Sequence, residues 1–311
     1  MKATVPCFAK LNLDLRVLHK RPDNYHELRT IFQTISLKDT LGIEVELKKR
    51  TQIDVTCSFD IPDNLVVRAA QAILDYLKIQ AWVCFALRKQ VPMGAGLGGG
   101  SSNAAAALIA LPALLGRPIS PTKLIGLAES LGSDVPFFLF GGTALGLGRG
   151  TELYPLPDVP PHAVLVVSTG IHVSTAEAYG ALGRTVTDAL TSPPQSPILR
   201  EFQTIAWTLD GSSLDQLPLT NDFEAPVFER HPQLASVARK LRRLGAKPVR
   251  MTGSGSAVFG VFESVSMARQ AAARFPAGVA HLARFVTRRQ YRAAWAKALG
   301  PAAKDSCFAY Q

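Results

Sequence analysis

The chain has 311 residues, of which 47% are hydrophobic and 19% charged. These proportions are enough to bury a core and exclude a wholly disordered protein. Lysine and arginine number 34 against 24 aspartates and glutamates, a net charge of +10. Such an excess is compatible with nucleic acid, an anionic membrane surface or a polyanionic small substrate, and does not choose among them.

The cysteines give little support to a zinc site or a disulfide framework, because none of them has a CxxC or CxxH spacing. They are Cys7, Cys57, Cys84 and Cys307. Pro6, Lys10 and Asp14 interrupt the start of the chain before a signal-type apolar segment forms. We therefore expect a soluble, cytoplasmic protein without a membrane span.

The first 60 residues alternate apolar and polar positions, which is typical of strands. We predict a hairpin between 44–47 and 53–59, across the basic turn at 48–50. Helices are predicted at 65–77, 103–115 and 121–131, and a short strand at 82–87.

The prolines between 154 and 161 mark the predicted boundary between two domains, 1–153 and 154–311. The second is predicted to contain a buried strand at 163–167, an irregular excursion at 183–197, a helix at 232–244, a strand–turn–strand at 249–262, a helix at 265–275 and a last strand at 283–287. This alternation favours an α+β domain with antiparallel strands.

The most informative stretch is the glycine-rich run PMGAGLGGGSSN at 92–103. Without β-carbons, successive backbone N–H groups can converge on a phosphate, and a following helix adds the positive end of its dipole. Ser101 and Ser102 add hydroxyl donors, or one ligand for a magnesium ion. The run therefore predicts a phosphate-binding loop.

Other phosphate-binding patterns fit this run less well. Gly94, Gly96 and Gly99 match the dinucleotide fingerprint, but that fingerprint needs an acid about 20 residues further on, and the first acid is Glu129. A Walker A loop needs lysine and then serine or threonine after its last glycine, whereas Gly100 follows Gly99. What remains is a phosphate loop without its own lysine.

PMGAGLGGGSSNAA resembles the nucleotide loop of the GHMP kinases. Further blocks, in the family's order and spacing, resemble its members that phosphorylate a cytidine diphosphate ester of methylerythritol: AKLNL at 9–13 with RPDNYHEL at 21–28, GSDVPFF at 132–138, TNDFE at 220–224 and MTGSGS at 251–256. The resemblance implies the α+β, two-domain GHMP kinase fold, with a ribosomal protein S5 domain 2-like N-terminal domain and a ferredoxin-like C-terminal domain. It also implies ATP-dependent phosphorylation of the 2-hydroxyl of that ester, in the non-mevalonate route to isoprenoid precursors.

Lys10 and Asp134 are the catalytic residues that the resemblance implies. Asp134 would take the hydroxyl proton, and the Lys10 cation would keep it ionised and face the developing negative charge. An ordinary ion pair joining two elements is the alternative. The predicted ATP cradle consists of Pro92, Met93, Gly94, Ala95, Gly96, Leu97, Gly98, Gly99, Gly100, Ser101 and Ser102.

A substrate site is predicted around Asn12, which lies on the same strand face as Lys10 and could bond a substrate hydroxyl. Tyr25 and His26 follow a turn and suit a nucleobase, because the ring stacks and the base edge takes hydrogen bonds. The resemblance implies that Thr175 and Tyr179 complete this cytidine site. The alternatives are a solvent-facing Asn12, and Tyr25 and Tyr179 as packing residues.

ATP and Mg²⁺ are the cofactors that the resemblance implies. Glu129 is the one acid between Lys89 and Asp134, and its spacing does not single it out, so the Mg²⁺ ligands stay unassigned. The turn at 253–255 resembles a family motif that lies against the phosphate loop.

Two other functions remain open. One is phosphorylation of another small alcohol, such as homoserine. The other is RNA binding by the basic segment 230–304, in which Glu263 is the one acid. We expect a small-molecule substrate, neither nucleic acid nor a membrane as partner, and a monomer or homodimer.

Overall fold

The computed structural model describes residues 1–183, 197–209 and 214–310. The first half of the chain forms β1 (Lys2–Lys20), β2 (His26–Leu47), β3 (Gln52–Cys57), α1 (Leu65–Leu77), β4 (Ala81–Arg88), α2 (Gly99–Leu114), α3 (Pro121–Leu131), α4 (Phe137–Phe140), β5 (Thr143–Gly148) and β6 (Glu152–Pro155). The second half forms β7 (Ala163–Val167), α5 (Thr175–Leu182), α6 (Pro197–Thr208), α7 (Glu224–Arg230), α8 (Pro232–Arg243), β8 (Val249–Met251), β9 (Val258–Phe262), α9 (Val265–Ala272), β10 (Ala280–Arg284), α10 (Arg288–Leu299) and the 3₁₀ turns Gly300–Asp305 and Cys307–Tyr310.

The first sheet is built around the long strand β2. One edge of β2 pairs with β1, and the other pairs with β4 near its end and with β5 near its start, all antiparallel. The helix α2 is rich in alanine and leucine and is buried from Ser102 to Leu114, because it lies between this sheet and the helices α1 and α3. A helix that is apolar all round belongs inside a core.

The predicted hairpin over 44–59 is wrong. Strand β4 lies between β2 and β3: Ile43 of β2 is opposite Phe85, and Ile53 of β3 is opposite Val83 in a parallel pair. A parallel pair needs a crossover connection, which α1 supplies. Alternating apolar positions look the same in either arrangement, so the strand pattern could not reveal the partner.

The second sheet has the strand order β10–β7–β9–β8, and all of its neighbouring strands are antiparallel. This confirms the antiparallel arrangement predicted for the second half of the chain. One face carries α8 and α9. The other packs Val164, Val166 and Phe259 into a core that also contains Leu11 and Leu13 of β1. Strand β1 of the first sheet therefore packs against the second sheet, and this positions its polar residues at the boundary. The last strand begins at Ala280, three residues before the predicted start at 283.

After β10 the chain returns to the first sheet. Tyr291, Trp295 and Leu299 of α10 are buried in the same core as Phe8, and the Phe308 ring lies 5.9 Å from that of Trp295. The division at 153 and 154 stays a prediction. The C-terminal segment 288–310 packs on the first sheet, whereas the sequence prediction placed it in the second domain.

Residues 184–196, most of the predicted irregular excursion at 183–197, lie outside the described residues. Within the described part of the chain, no helix has the length and apolar character needed to cross a membrane.

Candidate active site

A cleft of about 930 Å³ opens where the two sheets meet. Its lining includes Lys10 and Asn12 from β1, Asp134 from the turn before α4, and the turn at 253–255 from the second sheet. Gly94 and Gly96 of the glycine run form one side. Lys10, Asn12 and Asp134, predicted from separate sequence blocks, therefore meet in one cavity. The rest of the predicted cradle does not line this cleft.

Lys10 and Asp134 form an ion pair in the cleft, with Lys10 Nζ 3.2 Å from Asp134 Oδ2. The lysine is only 3% exposed, whereas the aspartate is 33% exposed. Lys10 also donates to Asn12 Oδ1 at 2.7 Å and lies 5.3 Å from the Phe32 ring centroid. The ammonium is thus fixed behind the carboxylate, which faces the cleft.

Asn12 links the two sheets at this point. Its Oδ1 accepts from Lys10 and, at 2.9 Å, from the Gly253 backbone N–H, and its Nδ2 donates to Thr30 Oγ1 at 2.7 Å. The side chain is 3% exposed. These contacts orient Lys10 toward Asp134, and the role of Asn12 as a substrate ligand stays a prediction.

The glycine loop has left-handed backbone at Gly94, Gly96 and Gly98, with φ of +62°, +78° and +68°. A Cβ on Gly96 would lie 2.1 Å from the Thr252 carbonyl oxygen, and one on Gly98 would lie 2.8 Å from the Phe138 ring. These positions require glycine because neighbouring elements approach the backbone itself. The glycine loop therefore packs between the second sheet and residues 134–141, which we call the Asp134 segment.

The helix α2 begins at Gly99, earlier than the predicted start at 103. Gly99, Gly100, Ser101 and Ser102 of the predicted cradle therefore form its first turn. The Ser102 N–H makes the first hydrogen bond of the helix, to the Gly98 carbonyl oxygen at 2.8 Å. The N–H groups before it, at 99–101, have no partners within the helix, and such groups attract anions. No acid lies in this turn. The arrangement suits a polyphosphate.

A second cavity of about 360 Å³ lies on the other side of the glycine loop, against Asn64, Leu65 and Lys89. The Lys89 ammonium is held by the buried Asp39 carboxylate, which also accepts from the Gln90 and Val91 N–H groups at 2.7 and 2.8 Å. A triphosphate lying along the loop would extend from this cavity toward Asp134.

The predicted base-binding residues gather at one end of the large cleft. The His26 and Tyr179 rings stack with centroids 4.5 Å apart and 21° between planes. Tyr25 is 49% exposed, and the Arg149 guanidinium lies 3.7 Å from its ring centroid. One face of each tyrosine is therefore covered. The Tyr179 ring also contacts that of Phe223, with centroids 4.8 Å apart and 85° between planes. The stacking of a base on these tyrosines stays a prediction.

Thr175, the remaining residue of this set, lies at the start of α5 and also lines the cleft. Its Oγ1 is 3.1 Å from Ser254 Oγ, in the turn at 253–255. This contact joins the predicted base site to the turn that holds Asn12.

Burial sets the protonation of two groups at this end of the cleft. Burial lowers the pKa of His26, and the nearby Lys20 and His19 lower it further. The imidazole is therefore neutral at pH 7, with one donor and one acceptor nitrogen. Burial raises the pKa of Tyr179, and the negative charge of Asp134 raises it further. The Tyr179 hydroxyl therefore stays protonated.

Among the cavity residues that the sequence did not single out are Lys89, Arg149 and His172. His172 belongs to no motif in the sequence, but its Nδ1 lies 3.5 Å from the position of a Cβ on Gly94. Isolated residues such as these carry no local signal, because their neighbours come from distant parts of the chain.

Comparison with known proteins identifies the family and the fold. The family "GHMP kinases N terminal domain" matches residues 64–142, and "GHMP kinases C terminal" matches residues 201–281. A crystal structure of 4-(cytidine 5'-diphospho)-2C-methyl-D-erythritol kinase superposes with a TM-score of 0.75 at 37% identity, over 92% of this chain and 99% of the other. The predicted two-domain GHMP kinase fold is thereby confirmed.

Homoserine kinase from Cytophaga hutchinsonii superposes with a TM-score of 0.66 at 19% identity, over 92% of this chain and 95% of the other. At this identity the likeness shows the fold alone.

Relatives that align along most of the chain show to which branch of the GHMP kinases it belongs. A 4-diphosphocytidyl-2-C-methyl-D-erythritol kinase from Solibacter usitatus is 48% identical over 309 residues, 99% of this chain and 96% of the relative. One from Pelotomaculum thermopropionicum is 39% identical over 280 residues, 88% of this chain and 94% of the relative. Kinases of this superfamily use ATP. The chain belongs to the 4-diphosphocytidyl-2-C-methyl-D-erythritol kinase family of GHMP kinases.

Proposed function

We propose that this chain transfers the γ-phosphoryl group of ATP to the 2-hydroxyl of 4-diphosphocytidyl-2-C-methyl-D-erythritol. The observation that carries the proposal is the Lys10–Asp134 pair, which lines one cleft together with the glycine loop and the rings of Tyr25, His26 and Tyr179. Family membership supplies the identity of the acceptor.

In this mechanism Asp134 is the general base. Its carboxylate accepts the proton of the 2-hydroxyl while the hydroxyl oxygen forms a bond to the γ-phosphorus, and the bond from that phosphorus to the β–γ bridging oxygen breaks to release ADP. Lys10, held by Asn12, orients Asp134 and stabilises the negative charge that develops on the transferred group. A positioned base contributes typically ~10²–10⁴-fold in rate.

The glycine loop and the first turn of α2 would hold the triphosphate through backbone N–H groups. Tyr25, His26, Thr175 and Tyr179 would hold the cytidine moiety, with the aromatic rings stacking and the neutral imidazole bonding the base edge. These assignments place the acceptor and the donor on opposite sides of Asp134.

Mg²⁺ fits this cleft as an ion carried largely by ATP. Within the described residues, no group of three His, Cys, Asp or Glu side chains could hold a metal ion. Mg²⁺ often keeps several waters and uses one or two protein ligands together with substrate phosphates. The Ser101 hydroxyl, which lines the cavity behind the glycine loop, would be such a ligand, whereas Ser102 is buried and lines neither cavity. The ion would neutralise charge on the phosphates.

The test is an assay of the purified chain with ATP, Mg²⁺ and the cytidine diphosphate ester. ADP release and phosphorus NMR of the product are measured, with homoserine and mevalonate as competing acceptors. We expect phosphorylation of the ester at its 2-hydroxyl and none of the other alcohols. Transfer to homoserine without transfer to the ester would overturn the proposal.

RNA binding is tested in parallel by titration at increasing salt. A steep loss of affinity with salt, combined with the absence of any transferase activity, would instead favour a basic binding module. The cytoplasmic location and the monomeric or dimeric state remain predictions from the sequence.

A further inference from the structure

We propose that Tyr291, in the C-terminal helix α10, is a positioning residue that holds the Asp134 segment against Lys10. The inference rests on the proposed function and adds to it a part of the chain that lies far from the cleft in sequence. Three sets of contacts carry it: those to α4, those to Gly141, and the packing of α4 around Lys10.

The first contact is a hydrogen bond. The Tyr291 hydroxyl donates to the carbonyl oxygen of Phe138. Phe138 belongs to α4, a single turn of helix that follows Asp134, and the last carbonyls of a helix have no partner within it. Burial raises the pKa of Tyr291, so the hydroxyl remains a donor at working pH.

The second contact is made by the ring. A Cβ on Gly141, at the end of α4, would lie 2.4 Å from the Tyr291 ring. The ring thus packs directly on the Gly141 backbone. Tyr291 is 1% exposed, and its other side faces Phe8 of β1 with ring centroids 5.4 Å apart. The ring fills the space between α4 and the strand that carries Lys10.

The third set of contacts connects α4 with Lys10. The Phe138 ring and Lys10 Cγ would lie 2.8 and 3.1 Å from a Cβ on Gly98, so both pack on that glycine. Phe137 packs on Phe32 with centroids 4.9 Å apart, and the Lys10 ammonium lies over the Phe32 ring. A shift of α4 would therefore change the distance between Lys10 and Asp134.

A purely structural role predicts a different result from a positioning role. Leu299 lies two turns further along α10, in the same core, and its aliphatic side chain has no hydrogen-bonding group. If Tyr291 only stabilises the fold, then Tyr291→Phe and Leu299→Val have the same kinetic consequence. If Tyr291 positions Asp134, only Tyr291→Phe slows the chemical step.

The experiment compares wild type, Tyr291→Phe, Gly141→Ala and Leu299→Val. It measures kcat, KM for ATP and the cytidine diphosphate ester, ATP affinity by calorimetry, and the urea midpoint. Losing one hydrogen bond predicts a kcat for Tyr291→Phe that is about 3- to 10-fold lower. Both KM values and the ATP affinity stay within about twofold of wild type, as expected for an interaction that acts in the transition state.

Gly141→Ala places a methyl group against the Tyr291 ring and should give the same kinetic pattern as Tyr291→Phe. If one of these two variants folds poorly, the other still tests the inference. Leu299→Val should lose at least as much stability with kcat unchanged. An unchanged kcat in Tyr291→Phe, or an equal loss in Leu299→Val, overturns the inference while wild-type activity stands. A wild type inactive toward the ester overturns the proposed function, and the inference with it.

Discussion

The Lys10 ammonium lies 3.2 Å from the Asp134 carboxylate, and the two members of the pair differ in exposure, at 3% and 33%. An ion pair that only joined two elements would not need its carboxylate to face a cavity. Here the cation is buried among Asn12 and Phe32, and the anion points to the space between the phosphate loop and the aromatic cluster. The geometry suits a base that is held in place from behind.

A double-mutant cycle tests whether this pair acts as a unit. We expect Asp134→Asn to lower kcat by ~10²–10⁴-fold, because the amide cannot accept the hydroxyl proton. Lys10→Met should also lower kcat strongly, and the double variant should lose little more than the worse single variant, since groups that act together are not additive. Phosphoryl transfer and ATP affinity are measured for each.

The control for this cycle is Asp75→Asn, an exposed carboxylate on α1 that bonds Gln71 and lines neither cavity. Its kcat should match wild type. Fully additive losses in Lys10→Met and Asp134→Asn would contradict a joint role for the two residues.

The second prediction concerns ATP binding by the glycine loop. Gly98→Ala places a side chain at φ +68° and against the Phe138 ring, costing about 1–2 kcal/mol for the backbone and a further ~1–3 kcal/mol for the overlap. We expect ATP affinity to fall by at least about tenfold, because the N–H groups no longer converge. Calorimetric titration with ATP measures this loss.

The matched control is Gly126→Ala within α3, where a Cβ meets nothing within 4 Å. Alanine there should raise the free energy of unfolding by roughly 0.5–1 kcal/mol and leave ATP affinity unchanged. Equal effects of the two substitutions on ATP binding would argue against a loop shaped by close contacts.

Tyr179→Ala tests the cytidine end of the cleft. In the proposed site the Tyr179 ring stacks on the base. Removing such a ring costs roughly 1–3 kcal/mol, so we expect KM for the cytidine ester to rise about 5- to 150-fold. KM for ATP should be unchanged, because Tyr179 lines only the large cleft and not the cavity behind the loop. Tyr179→Phe keeps the ring and should behave like wild type. A parallel rise in both KM values would indicate general damage to the fold.

The stability of the protein should depend on pH through His26. Its pKa is lowered in the folded state, mainly by burial, so below the ordinary value of about 6.5 the unfolded chain binds more protons. The free energy of unfolding therefore falls as the pH drops from about 7.5 to 5.5. His26→Gln should flatten this decline, measured by urea denaturation at each pH.

Part of the slope should remain in His26→Gln, because burial also lowers the pKa of His162 and His281. A slope that is the same in His26→Gln and wild type would contradict the burial effect at this position.

Local patterns in the chain were sufficient to predict most elements. The predicted bounds of α3 and β7 agree with the structure, and glycine density located the loop. The partner of β3 could not be predicted, because alternation defines which side chains share a face and not which strand lies beside them. The start of α2 was placed late because glycine has a low helix propensity, whereas here the first turn is held by contacts with other elements.

The amino-acid sequence alone determined the chemistry available: a cradle of bare backbone, a lysine, an aspartate and a set of aromatic side chains. Only the tertiary structure decided that Asn12 bridges the two sheets, that Arg149 and His26 cover the tyrosine rings, and that Tyr291 returns from the C-terminal helix to the Asp134 segment. Periodicity reports the environment of each residue along its own element. Contacts between distant elements depend on how whole faces pack, and no local pattern records that.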